Sequence, residues 1–251
     1  MLEPLYLVGI GLCVGMVVNY LADILPANRR FVAPHCLICS SKQSYFNYLF
    51  WPRRCQECGT RRPIRTWLIE LIFVGVSLWL WSSPPDRLGF APSLILLSYF
   101  GIVAVIDIEH RLILNMVSLA GAGLGLGIGI WSHGVATTLV GGVAGFAIML
   151  VLYLLGAVLM GWLARSRGRT LDEDALGFGD VNLGGVLGLI LGWPGILLGL
   201  VLAIMVLILL SCLGGEEFRL REVAVLLLAL AGLAVGIFFY GLQMPFKVWP
   251  L

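Results

Sequence analysis

The sequence predicts an all-α polytopic membrane protein of about eight transmembrane helices, with one small polar module between helices 1 and 2. Three observations carry this: the composition, the length of the apolar runs, and the placement of the basic residues. Of 251 residues, 60% are hydrophobic and only 12% charged, roughly half the charged share of a soluble domain. A soluble chain so apolar could not cover its own surface. The apolar residues also come in runs of about 20, the length that spans a bilayer core.

The apolar segments run near 4–24, 66–82, 93–108, 112–131, 135–163, 180–193, 195–213 and 223–242. The first is long, lacks a basic start, and ends in Asp23 rather than at a small-residue cleavage site. It therefore reads as a true span and not as a cleavable signal. The domain division that follows is a first helix over 1–25, a polar module over 26–65, and a seven-helix membrane domain over 66–251. Glycines cluster at 121–129 and 141–145, where small residues let helices approach closely in lipid.

Orientation follows from Lys and Arg. With the 26–65 block in the cytoplasm, 14 of the 16 basic residues fall on that side, and only Arg87 and Lys247 lie outside. Eight spans then place both termini on the extracytoplasmic face. A net charge of +2 gives no reason to expect a nucleic-acid partner; the partner that composition demands is membrane lipid.

Cys36-Leu-Ile-Cys39 and Cys55-Gln-Glu-Cys58 form two C-x-x-C pairs separated by 15 residues. Each pair can put two sulfurs on one turn, and two such pairs close a tetrahedron around Zn2+. Gly59 suits the tight knuckle after the second pair, and Arg53, Arg54, Arg61 and Arg62 offset the charge of four thiolates. Two disulfides are the competing reading, and a reducing cytoplasm opposes them. A closed four-sulfur set leaves no open position, so the expected zinc is structural. Cys13 and Cys212 lie in apolar runs and read as packing residues.

Charged groups in apolar spans are costly and mark function. Asp107 sits at the predicted cytoplasmic end of the third span, in VAVIDIEHRLILN. Asp180 opens the sixth on the same face, in GFGDVNLGG. Two helices thus deliver one carboxylate each to one depth. That suits peptide hydrolysis with a shared proton: one ionised carboxylate takes a proton from water, and its neutral neighbour donates to the peptide. Gly177 and Gly179 flank the second aspartate, where an extended substrate backbone needs close approach. Glu109 and His110 read as residues of a short loop, Asp23 and Glu70 as interfacial acids bordering the polar block. His35 and His133 have no partner evident in sequence. Asp172, Glu173 and Asp174 form an acidic cluster before Asp180 that reads first as a solvated loop and also suits steering of a basic peptide.

These residues resemble the type IV prepilin leader peptidases, bifunctional prepilin peptidase/N-methyltransferases among the G-x-G-D aspartyl intramembrane proteases. The similarity covers GMVVNYLADILP (15–26), both cysteine pairs, the R-x-x-L-x-E stretch from Arg65 to Glu70, IDIEHRLILN (106–115) and LGFGDVNL (176–183). The resemblance implies that Asp107 and Asp180 are catalytic, with Gly177, Gly179, Asn115 and Glu70 among the substrate-binding residues. It implies type IV prepilins or pseudopilins as substrates, cut at the cytoplasmic face of the bacterial inner membrane. It also implies S-adenosylmethionine as donor for methylating the new N-terminus. The chain departs from the family pattern at Leu114, where a proline is usual, at Asn182, where a lysine is usual, and at Arg53, where a glycine is usual. It departs further at Gly15-Met16 and Asp23-Ile24, and EFRLREVAVLLL (217–228) replaces a late proline-rich stretch. Both aspartates are spared. A transporter or assembly scaffold with a zinc ribbon is the reading from another class, but it would call for internal repeats and mid-membrane polar residues, and neither is evident.

Overall fold

A computed structural model describes residues 2–30, 32–36, 38–50, 53–85, 88–110, 112–167 and 177–213. Eight helices appear among these residues, and no β-strand. They are α1 (Leu2–Asn28), α2 (Tyr45–Leu49), α3 (Arg65–Ser82), α4 (Phe90–His110), α5 (Asn115–His133), α6 (Val135–Arg167), α7 (Phe178–Leu191) and α8 (Gly195–Leu213). Seven of them match the first seven apolar segments. The eighth segment, 223–242, and the acidic cluster at 172–174 lie outside the described residues. The short helix α2, inside the polar block, is an element that hydropathy does not reveal.

Five of the helices, α1, α3, α4, α5 and α6, are long and apolar enough to cross a membrane. The protein is thus an integral membrane protein. Helix α7 has 14 residues, about 21 Å of helix, against a hydrocarbon core of about 30 Å.

The chain divides into two compact units, the first built from α1–α4 and the second from α5–α8. In the first, Val18, Ile69, Phe73, Leu80 and Leu94 make the core. Buried polar side chains join the helices: Ser77 Oγ donates to the Leu7 carbonyl at 3.0 Å, and Asn19 Nδ2 to the Thr66 carbonyl at 3.0 Å. In the second unit, α6 and α7 touch backbone to backbone. A Cβ added to Gly188 would lie 2.7 Å from the Gly141 carbonyl carbon, which is the close packing expected of the 141–145 glycines. His133, at the end of α5, has a partner after all: its Nε2 donates to the Ile190 carbonyl at 3.1 Å. His35 likewise sits 3.4 Å from Asn28 Nδ2.

Candidate functional site

The four cysteines come together as the spacing requires. Their sulfurs all lie within 4.8 Å of one another, with Cys36–Cys58 at 3.6 Å and Cys39–Cys55 at 3.4 Å. A tetrahedron with Zn–S bonds of about 2.3 Å has edges of about 3.8 Å, while a disulfide is about 2.05 Å. The spacing fits a four-coordinate ion and does not fit disulfides. Two matching knuckles build the site. The Ser40 N–H donates to the Cys36 carbonyl and the Gly59 N–H to the Cys55 carbonyl, each at 3.0 Å. The residue after each second cysteine is left-handed, Ser40 at φ 57° and Gly59 at φ 69°. Glycine takes that conformation without strain; serine does so at some cost.

Local hydrogen bonds and burial set the thiols apart. The Cys58 backbone N–H, then the Ser41 hydroxyl, pull Cys55 down to about 5. The Thr60 hydroxyl and N–H lower Cys58. Cys36 accepts the Cys39 N–H, but burial and the adjacent thiols push it up to about 11. A metal ion bound there would displace a proton from Cys36 and meet Cys55 as thiolate.

Below the knuckles a network of charges ties the block to the helices of its unit. Asp23, buried near the end of α1, receives Arg62, Arg65 and the Tyr48 hydroxyl. Burial, then the Asp23 carboxylate, holds the Tyr48 phenol protonated well above its usual range. Arg53 and Glu70 make a buried two-pronged ion pair at 2.9 and 3.0 Å. The Arg53 guanidinium also stands 4.3 Å over the Trp67 ring. Glu70, taken from sequence as an interfacial acid, is thus an anchoring point for the polar block. Arg53, at φ 54°, holds the left-handed backbone for which the family pattern uses glycine.

Asp107 lies in the last turn of α4 and is half-buried. The helix does not stop there. It continues through Glu109 and His110, which a loop reading had placed outside it. Arg65 pairs with Glu109 as well as with Asp23. A carboxylate in a C-terminal turn faces the negative end of the helix dipole, and the guanidinium offsets that repulsion.

Asp180 lies in the first turn of α7, in the second unit, and is half-buried. The Gly177 N–H donates to its Oδ2 at 2.9 Å, and its own N–H donates to the Gly177 carbonyl at 3.0 Å. The aspartate closes the helix start on itself, as the third residue of a capping box does. Gly177 is exposed there. Gly179 is not open: a Cβ on it would lie 2.5 Å from Ile113 Cβ. Asn115 is the exposed first residue of α5. Its neighbour Leu114 has φ −76° and ψ 132°, a backbone that proline also adopts.

Comparison with known proteins adds to this geometry. Residues 94–215 match the model of the type IV leader peptidase family. The chain is 26% identical over 210 residues to a prepilin leader peptidase/N-methyltransferase of Myxococcus xanthus (strain DK1622), which covers 78% of this chain and 58% of that protein. The chain thus spans less than two thirds of that relative's length. No solved structure matches. The matched segment 94–215 contains both Asp107 and Asp180, so the similarity to type IV leader peptidases runs through both candidate catalytic residues.

Proposed function

We propose that this protein is a membrane aspartyl endopeptidase that removes the leader peptide from type IV prepilins or pseudopilins. One observation carries the reading: the family match runs through both aspartates and the G-x-G-D turn. Asp107 and Asp180 act as the acid–base pair. One carboxylate, ionised, removes a proton from the attacking water, and the other, protonated, delivers its proton to the scissile amide as the bond breaks. No covalent intermediate forms.

The substrate is held by the exposed Gly177 and Asn115, with Gly179 acting by its close packing on Ile113 and Glu70 through the block it anchors. Cleavage takes place at the cytoplasmic face of the bacterial inner membrane, both termini lie outside, and the 26–65 module is cytoplasmic. Cys36, Cys39, Cys55 and Cys58 hold a structural Zn2+, whose contribution is to fold that module. N-methylation from S-adenosylmethionine follows cleavage; the name of the M. xanthus relative supports this step.

Co-expression with a prepilin and mass spectrometry of its mature N-terminus tests the proposal. The expected product lacks the leader and carries one added methyl. A product that retains its leader rejects the peptidase, and a cleaved but unmethylated product rejects the methylation alone.

A further inference from the structure

The polar block carries an aromatic face that the proposed chemistry does not use. Helix α2 is little more than one turn long, and its Tyr48 points inward, bonded to Asp23, with the Arg62 guanidinium 3.9 Å from its ring. That fixes which residues point outward. Tyr45, Phe46 and Phe50 are 54%, 63% and 52% exposed, and the Phe46 and Phe50 rings stack at 5.5 Å.

One side chain ties the end of α2 to the start of a helix able to cross a membrane. Arg53 donates to the Leu49 and Phe50 carbonyls at the end of α2 and lies over Trp67 in the first turn of α3. Trp67 is exposed together with Ile64 and Leu68, at the start of a helix able to cross a bilayer. Exposed aromatic rings at α2 and exposed apolar side chains at the start of α3 are thus tied together through the Arg53 guanidinium. A water-facing module gains nothing from holding such rings outward on a buried charge network. Aromatic side chains at the ends of spans settle at headgroup level. The exposed Arg29, Arg30, Arg54 and Arg61 of the same block complement anionic headgroups.

We propose that the cysteine module lies flat on the bilayer, with Phe46 and Phe50 inserted among anionic phospholipids beside α3. The module is thereby held at the membrane surface and does not stand off in the cytoplasm. This rests on the span and the module alone and is independent of the peptidase reading.

The test places the photoreactive residue p-benzoylphenylalanine at Phe46, at Phe50 and, as a control, at Glu57, which is exposed on the second knuckle. Zinc-loaded protein is reconstituted in phosphatidylethanolamine–phosphatidylglycerol vesicles, irradiated, and its peptides are weighed. Phospholipid adducts at 46 and 50 but not at 57 are expected. Adducts at 46 and 50 to another polypeptide, or no lipid adduct at either, would overturn the proposal. The unmodified protein gives a second reading should a variant fail to fold. A membrane-soluble diazirine should label residues 45–50 while a water-soluble one does not, and the reverse pattern would also overturn the proposal.

Discussion

Arg53→Gly sets two effects of known sign against each other. The substitution restores the residue usual at this point of the family pattern and relieves a Cβ at φ 54°, a gain of about 1–2 kcal/mol. It also strips the buried Glu70 carboxylate of its guanidinium, and breaking one side of a buried pair costs about 3–5 kcal/mol. The ion pair should win, so the variant loses about 2–3 kcal/mol net, on the order of a 10 °C drop in unfolding midpoint for a unit of this size. Arg53→Ala breaks the same pair but keeps the strained Cβ, and should fall about 1–2 kcal/mol below the glycine variant. Adding Glu70→Gln to Arg53→Gly should recover much of the loss, because no buried charge is then left unpaired. Thermal unfolding in detergent micelles, followed by circular dichroism, separates the three variants. An Arg53→Gly protein as stable as the parent, or more so, would refute the reasoning and make the ion pair incidental.

Other perturbations address the metal, the catalytic helix and the α5 start. Purified protein should carry about one zinc per chain, and replacing Cys55 by Ser should abolish it; elemental analysis after purification without chelator reads the result. Glu109→Gln should cost only about 0–1 kcal/mol of stability, since Glu109 is a third exposed. By loosening the last turn of α4 it should nonetheless lower kcat about tenfold with KM unchanged, in a cleavage assay on a synthetic prepilin. Leu114→Pro should be neutral or stabilising by about 0.4–1 kcal/mol, because the backbone there already has a proline-like φ. A lowered unfolding midpoint for Leu114→Pro would show that the α5 start depends on the Leu114 side chain or N–H.

Much of the architecture is legible in the sequence because membranes enforce it. A span must be apolar for its whole length, so α1, α3, α4, α5 and α6 fall where the apolar runs are, and the C-x-x-C spacing foretells the sulfur cluster. Local signals fail where tertiary charge decides. Glu109 and His110 look like loop residues, yet α4 runs through both and Glu109 pairs with Arg65. Asp23 and Glu70 look like interfacial acids, yet partners far along the chain bury them. Helix α2 is hidden because five residues in a polar block make no periodic pattern. Arg53 is the instructive case: a departure from glycine signals a left-handed backbone, and its charge signals a partner, but only the fold shows that the partner is Glu70.

Asp107→Asn and Asp180→Asn, made separately and scored by mass spectrometry of a co-expressed prepilin, test the central claim most directly. Each variant should insert in the membrane and bind zinc as the parent does, while the prepilin keeps its leader, because one carboxylate cannot serve as both acid and base. Full leader removal by either variant would contradict a two-aspartate mechanism.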